Sequence, residues 1–361
     1  MKRRRAKTIR IGNCLIGGDN PVAIQSMTKT KTSDIQRTVR QIRELEAAGC
    51  EIVRLAIKDE KDAQALKRIK ERASIPLVAD IHFNWRLALA AIDSGADKIR
   101  LNPGNIYKKK EIGEISRAAK LNNIPIRVGI NSGSLRGSEP KNTGSRTQAD
   151  RMVKSALDYI KILEGFKFRD IVISLKASNI IDTIGAYRKI ARLCDYPLHL
   201  GVTATGSPYA GTIKSAIALG ILLSEGIGDT IRVSLTDAPA REVTAAKAVL
   251  ESLGLRKSGP EIISCPTCGR CEVDLVRVVK ELEGKLSGVR YPLSAHRPLK
   301  IAVMGCVVNG PGEAKEADAG IAFGKKEGLL FRNGRAIKKV PFSGCVAVLL
   351  KEIELLNAKD N

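Results

Sequence analysis

Between residues 21 and 254 short β-branched runs alternate with longer stretches in which apolar residues recur at helical spacing. The runs fall at 22–27, 51–57, 76–83, 98–103, 126–132, 170–177, 198–206 and 229–236, which predicts eight strands. The intervening segments read as helices. That at 33–48 keeps an apolar stripe through Ile35, Val39, Ile42 and Leu45, with Asp34 in its first turn. Eight β-α units within about 235 residues match the size of a (β/α)8 TIM-type barrel, whose active site lies at the C-terminal ends of the strands. A doubly wound open sheet is the alternative α/β fold, and it normally needs fewer units. After Gly254 the pattern changes. Gly259-Pro260 marks a boundary, and the remainder carries two helical stretches and short strands such as 300–304, predicting a smaller α+β domain. The expected organisation is therefore a barrel over 1–256 and a second domain over 257–361, with 140–146 a loop after the fifth strand.

Polar residues sit where a barrel should not want them. Arg54, Arg100, Arg127, Lys176 and Arg232 each fall inside a predicted strand among Val, Ile or Leu. Both faces of such a strand are covered, so an unpaired charge there is costly. Asp80 is the main carboxylate in the same runs. Five cations converging on one end are undercompensated unless an anion binds, and guanidinium forks match phosphate oxygens. A period of two extends the lining: Asp80 with His82, Arg100 with Asn102, Arg127 with Asn131, Ser174 with Lys176 and Ser178, Thr203 with Thr205, and Arg232 with Ser234. The competing reading is that these residues are solvated at the rim or pair among themselves. His82 alone is weak evidence. His199 is weaker still and reads as a core residue, and His296 reads as surface.

Charge changes the picture only partly. The 361 residues include 61 Lys and Arg against 38 Asp and Glu, a net charge of +23. Such a surplus suits nucleic acid, because clustered cations release counterions on meeting phosphates. Only 6 Phe, 6 Tyr and 1 Trp are available, too few for an obvious base-stacking platform. The basic run at 1–5 and the run Lys108-Lys109-Lys110 read as solvated surface. No apolar run is long enough to span a bilayer and no signal-type hydrophobic stretch follows Met1, so a cytoplasmic protein without membrane contact is expected.

Eight cysteines in a reducing compartment are not expected to form a disulfide framework. Cys265, Cys268 and Cys271 lie within seven residues, and Cys306 stands downstream in a Gly- and Pro-rich stretch ending at Glu313. Spacing of this kind serves zinc and iron-sulfur sites alike, and a closed zinc site in a nucleic-acid binder stays open on these grounds. Cys14, Cys50, Cys194 and Cys345 read as small core residues.

The strings ADIHFN, KIRLNPGNI, GINSGSL, SLKAS, LLSEGIGDTIRVSL, CPTCGR and GCVVNGPGEA run in that order from residue 79 to 314. Together they make nearly the whole chain resemble the bacterial 4-hydroxy-3-methylbut-2-en-1-yl diphosphate synthases. The resemblance implies a barrel followed by a sulfite-reductase-like domain holding a 4Fe-4S cluster, ligated by Cys265, Cys268, Cys306 and the carboxylate of Glu313. It implies reductive ring opening of 2-C-methyl-D-erythritol 2,4-cyclodiphosphate, whose diphosphate would be held by the five barrel cations. It also implies a homodimer and flavodoxin or ferredoxin as electron donor, with no nucleic-acid partner.

Three departures from the family pattern stand out. Thr203-Ala204-Thr205-Gly206 replaces the usual Thr-Glu-Ala-Gly, removing a proton-donor candidate for which Glu242 is a substitute. Asn84 replaces an Asp, and Cys271 is an extra thiol, read as a bystander. A paralogue with altered chemistry on another small diphosphate is the alternative these departures raise.

Overall fold

The computed structural model describes residues 2–135, 147–203, 206–256, 260–286, 299–308 and 310–357. The expected loop at 140–146, Ala204, Thr205 and His296 lie outside the described residues. The chain divides into two compact units, Met1–Arg256 and Lys257–Asn361.

The first unit opens with a hairpin that the strand pattern did not include, β1 (Ile9–Ile11) and β2 (Cys14–Ile16), antiparallel across a turn at Gly12. The hairpin is followed by β3 (Ala23–Met27), β4 (Ile52–Ile57), β5 (Leu77–Ile81), β6 (Lys98–Leu101), β7 (Ile126–Asn131), β8 (Ile171–Lys176), β9 (His199–Leu200) and β10 (Thr230–Ile231). These eight are parallel in the order β8-β7-β6-β5-β4-β3-β10-β9. A parallel bridge from Ile173 to Leu198 brings the two ends of the sheet together, closing a TIM-type barrel and setting aside the open doubly wound sheet.

Several expectations need correction. The last two strands hold two residues each, where 198–206 and 229–236 were expected. Among the described residues, the backbone bonds joining these two segments beyond Ile231 are Arg232 N to Leu200 O at 3.0 Å and Thr236 N to Gly206 O at 3.4 Å. A Cβ at Gly201 would lie 2.8 Å from both Arg232 O and Lys176 Nζ, so the backbone here makes room for interior side chains. Thr203, Arg232 and Ser234 therefore stand beyond the shortened strands β9 and β10, and His82 and Asn102 stand just past the ends of β5 and β6. Asp34 is the N-cap of helix Ile35–Ala47, accepting from Arg37 N at 3.2 Å, and is not in the first turn. The basic N-terminus is not simply solvated. Arg3 pairs with Asp229 at 2.9 Å, and Arg4 donates to Cys194 O and Tyr196 O at 2.7 and 2.6 Å.

The barrel interior is layered. Ile9, Ile11 and Ile16 of the hairpin pack on Ala23, Ile52, Val78 and Val172 and form an apolar floor at the N-terminal end. Above it Lys98 Nζ reaches Gln25 Oε1 at 3.4 Å, joining β6 to β3, strands that are not neighbours in the sheet. The outward faces of the strands pack on the surrounding helices in one continuous apolar core.

The second unit is a five-stranded sheet of β11 (Glu261–Ser264), β12 (Lys300–Met304), β13 (Ala319–Phe323), β14 (Glu327–Arg332) and β15 (Arg335–Pro341), in that order. The first three are parallel and the rest antiparallel. Alternation on β12 explains its two faces: Ile301 and Val303 pack with helices Leu275–Leu286 and Cys345–Asn357, while Ala302 and Met304 pack with Ala314 of the short helix Gly310–Lys315. Among the described residues no helix is long and apolar enough to cross a membrane.

Candidate active site

In the barrel, β4, β5 and β6 bring Arg54, Asp80 and Arg100 side by side, because residues of equal parity on adjacent strands share a face. Asp80 Oδ1 accepts from Arg100 Nη1 at 3.1 Å, and its Oδ2 lies 3.6 Å from Arg54 Nε and 4.0 Å from His82 Nε2. Burial works to raise the Asp80 pKa, but Arg54 and Arg100 outweigh it and hold the carboxyl at about 2. Burial lowers Arg54 to about 9, and its Nε and Nη2 both point at Met27 Sδ, at 3.1 and 3.0 Å. Arg100 Nη2 also donates to Gly129 O at 3.0 Å. A Cβ at Gly129 would lie 2.5 Å from Arg100 Nε, so glycine is what lets this guanidinium cross β7.

Arg127 is fully buried, and none of its three guanidinium nitrogens has a hydrogen-bond partner among the described residues. Burial, with Arg54 and Arg100 nearby, pushes its pKa well down. Lys176 is likewise pushed down by burial and by neighbouring arginines. Its Nζ lies 3.4 Å from His199 Nε2, and His199 Nδ1 lies 2.8 Å from Thr230 Oγ1. Arg232 finds a carboxylate in Glu242, at 3.4 Å.

Glu242, on helix Pro239–Ser252, is only 1% exposed. Its Oε2 accepts from Ser26 Oγ at 3.2 Å, and its Oε1 accepts from Leu235 N at 3.0 Å and lies 3.2 Å from Lys29 Nζ. A proton-donor role would require breaking these contacts. Asn102 is held at the rim, its Oδ1 accepting from Gly104 N and its Nδ2 donating to Ser134 Oγ, both at 3.0 Å. Ser134 Oγ in turn donates to Asn131 O at 3.1 Å. Thr203 and Ser234 are half-buried at the same end, and Thr203 N donates to Ala177 O at 3.3 Å.

The structure thus gathers Arg54, Asp80, Arg100, Arg127, Lys176 and Arg232 in and above one barrel interior. It adds a sixth cation, Lys98, which is fully buried. It also adds Glu242 as a second compensating carboxylate, where sequence reading counted Asp80 as the main one. Lys98, Gln25 and Thr230 were missed, and His199 was set aside. The period of two carries the signal for the first two, since Lys98 and Gln25 each stand two residues before a residue of the upper layer.

In the second unit the cysteines come from strand ends. Ser264 pairs with Val303, and Cys265 N donates to Val303 O at 3.2 Å, so Cys265 and Cys306 follow the C-terminal ends of adjacent parallel strands. Cys265 also packs in the cluster containing Met304 and Ala314, the residue after Glu313. The 265–272 loop folds back, with Glu272 N donating to Gly305 O at 3.0 Å. Cys268 is exposed, Cys265 half-buried and Cys306 buried. Cys271 Sγ lies 3.2 Å from Val273 O and sits directly over Gly305, where a Cβ would approach it to 2.5 Å.

Among the described residues no three His, Cys, Asp or Glu side chains are grouped closely enough to hold a single metal ion. Cys265 and Cys306 follow the ends of adjacent strands, Cys268 stands on the loop after β11 and Glu313 on the helix Gly310–Lys315; a donor set of three thiols and a carboxylate suits a multi-iron cluster, whose ligands bind separate irons and stand farther apart than those of one ion.

Two family models match the chain: the GcpE TIM-barrel domain over residues 6–247 and the GcpE protein C-terminal domain over 261–355. Curated relatives named 4-hydroxy-3-methylbut-2-en-1-yl diphosphate synthase (flavodoxin) are similar along nearly their whole length. That of Anoxybacillus flavithermus is 52% identical over 98% of this chain and 95% of its own. That of Clostridium perfringens is 52% identical over 99% of this chain and 100% of its own. That of Lawsonia intracellularis is 53% identical over 94% and 92%. Among solved structures, dihydropteroate synthase from Stenotrophomonas maltophilia covers 70% of this chain and all of its own at a TM-score of 0.51. At 11% identity, that likeness speaks to the fold alone.

Proposed function

We propose that this chain, which belongs to the GcpE family, opens the ring of 2-C-methyl-D-erythritol 2,4-cyclodiphosphate reductively and removes a hydroxyl. The product is 4-hydroxy-3-methylbut-2-enyl diphosphate. Two electrons enter, protons are taken up and water leaves. Flavodoxin is the electron donor, in keeping with the name its relatives carry, and ferredoxin, another small electron carrier, is the alternative donor. The reading takes the enzyme to be a cytoplasmic homodimer. Phe83, on the loop after β5, and Tyr209, in the first turn of helix Pro208–Ser224, are 77% and 81% exposed at the C-terminal end of the barrel and are apolar surface that a partner would cover.

The observation that carries the substrate reading is Arg127, a buried guanidinium whose donors are unmet among the described residues. Such a group is costly unless something anionic completes it. Arg54, Arg100, Lys176 and Arg232 surround the same space and give a diphosphate several charge-assisted donors. Asp80 holds Arg100 by a hydrogen bond and Arg54 by an ion pair, which keeps both guanidinium groups beside the space where the anion would sit. Asn102, Asn131, Thr203, Ser234 and His82 supply donors and acceptors at the rim for the hydroxyl-bearing carbon skeleton. Binding energy from the remote diphosphate then orients the reacting carbon.

Side chains cannot supply electrons, so a cofactor must. Cys265, Cys268, Cys306 and Glu313 would hold a 4Fe-4S cluster, which supplies single electrons and a Lewis-acidic iron. Glu313, the carboxylate ligand, is the weakest partner for a soft iron and the one expected to yield. Cys271 already has a carbonyl partner in Val273 and is left out of the ligand set.

A second reading is favoured by one observation. Ala204 stands where the family carries a glutamate, so the chain could act on another small diphosphate without that proton donor. Anaerobic turnover with reduced flavodoxin separates the two. The first reading expects brown protein with about four irons per chain that forms product, and a Cys306→Ser variant that forms none. Binding of the cyclodiphosphate without turnover in iron-loaded protein supports the second. Colourless protein with one zinc per chain contradicts both.

A further inference from the structure

We propose that His199 is a positioning residue that aims Lys176 at the diphosphate, acting as a neutral hydrogen-bond acceptor with its tautomer locked by Thr230. The proposal rests on the reading that Lys176 binds the diphosphate. His199 is fully buried on β9, with Nε2 3.4 Å from Lys176 Nζ and Nδ1 2.8 Å from Thr230 Oγ1. Lys176 has to be charged to hold a diphosphate, and an ammonium only donates, so in that state Nε2 is the bare nitrogen and Nδ1 carries the proton and donates to the threonine hydroxyl. Burial, with Arg127 and Lys176 close by, pushes the His199 pKa well down, in accord with a neutral ring.

The backbone around this pair is fixed from two sides. Tyr187 Oη donates to His199 O at 2.5 Å and accepts from Leu175 N at 3.0 Å, tying β9 to β8 next to both side chains. On the other side Lys176 Nζ lies over Gly201, where a Cβ would approach to 2.8 Å. The ammonium is therefore confined between the imidazole edge and a bare Cα. Among the described residues it has no carboxylate partner.

The choice of acceptor has a chemical consequence. A carboxylate in place of His199 would orient Lys176 equally well but would cancel its charge before substrate arrived. A neutral imidazole directs the ammonium and leaves its full charge for the anion. A protonated imidazole would set cation against cation, so the device works only in the neutral Nδ1–H form.

Two measurements test this. The chain has only three histidines, so imidazole 15N shifts can be assigned by comparison with His199→Gln. The expected result is a neutral ring protonated on Nδ1, and an Nε2–H tautomer or an imidazolium at neutral pH overturns the proposal. In steady state, His199→Leu should raise KM for the cyclodiphosphate roughly ten-fold, the scale of one charge-assisted hydrogen bond, with kcat falling by less. His199→Gln, which can offer an amide oxygen near the position of Nε2, should recover most of the loss. Unchanged KM in His199→Leu, or equal loss in both variants, shows a packing role only and overturns it. A wild-type chain that binds no cyclodiphosphate defeats the substrate reading instead, while the tautomer is still decided by the 15N spectrum.

Discussion

Replacing Arg127 by methionine should make the ligand-free protein more stable and at the same time destroy its hold on substrate. The guanidinium is fully buried, its three nitrogens lack partners among the described residues, and Arg54 and Arg100 repel it. Exchanging a buried ionic group for an apolar one of similar volume is commonly neutral or stabilising by about 1–4 kcal/mol. At roughly 2–4 °C per kcal/mol for a unit of this size, the midpoint of thermal unfolding should rise by roughly 2–16 °C. The cost appears on binding. Two lost hydrogen bonds to a phosphate, at about 1.5–3 kcal/mol each, weaken affinity by roughly 10²–10⁴-fold. Calorimetric scans without and with inorganic pyrophosphate read both effects, since a ligand at 100 times its Kd stabilises the folded state by about 2.7 kcal/mol. The wild type should shift with pyrophosphate and the variant should not. A lower midpoint in ligand-free Arg127→Met would refute the reasoning, because it would mean the charge is satisfied internally and serves the fold.

Other consequences are equally direct. Asp80 has a folded pKa of about 2, below its unfolded value. The stability it contributes, on the order of 2 kcal/mol, is fully present above about pH 4 and is lost as pH falls through 2. Asp80→Asn should flatten that limb of an acid-unfolding curve, and an unchanged limb would contradict the pairing. His199 is pushed well below its ordinary value, so the unfolded chain binds the extra proton. Stability should fall as pH drops below about 6.5, by up to about 1.4 kcal/mol per pH unit from this residue, and His199→Gln should remove that slope in urea titrations. Gly129→Ala forces Arg100 from β7 and should raise KM at least ten-fold, on the scale of one displaced charged hydrogen bond, which steady-state assays would detect. Cys271→Ala should keep its iron by colorimetric analysis whereas Cys306→Ala should not, and equal losses would assign Cys271 as a ligand.

The sequence showed the architecture because covered parallel strands leave a strong signal: eight β-branched runs at regular spacing, each broken by a helix-length segment. The cations were visible for the same reason, since a charge inside such a run has no ordinary explanation. Other features were hidden because they depend on contacts distant in the chain. Lys98 and Gln25 meet across the barrel from strands that are not neighbours, and nothing local marks them as partners. His199 looked like a core residue and is one, but its use depends on Lys176 and Thr230, 23 and 31 residues away. Glu242 lies on a helix, outside the strands where compensating charge was sought, and reaches back to Ser26 and Arg232. The N-terminal arginines belonged to a run that read as solvated, yet Asp229 at the barrel floor holds two of them.

The net charge of +23 is thereby resolved in part. Six of the cations line one barrel interior and two more tie down the N-terminus, which points to a small anion within the barrel and not to a long polyanion on the surface. The most direct test is calorimetric titration of the cyclodiphosphate into oxidised wild-type protein without reductant. One site per chain, retained in Cys306→Ser and lost in Arg127→Met, is the result predicted. Binding of undiminished strength in Arg127→Met, or no binding by the wild type, would contradict the assignment of the barrel cations to the substrate diphosphate.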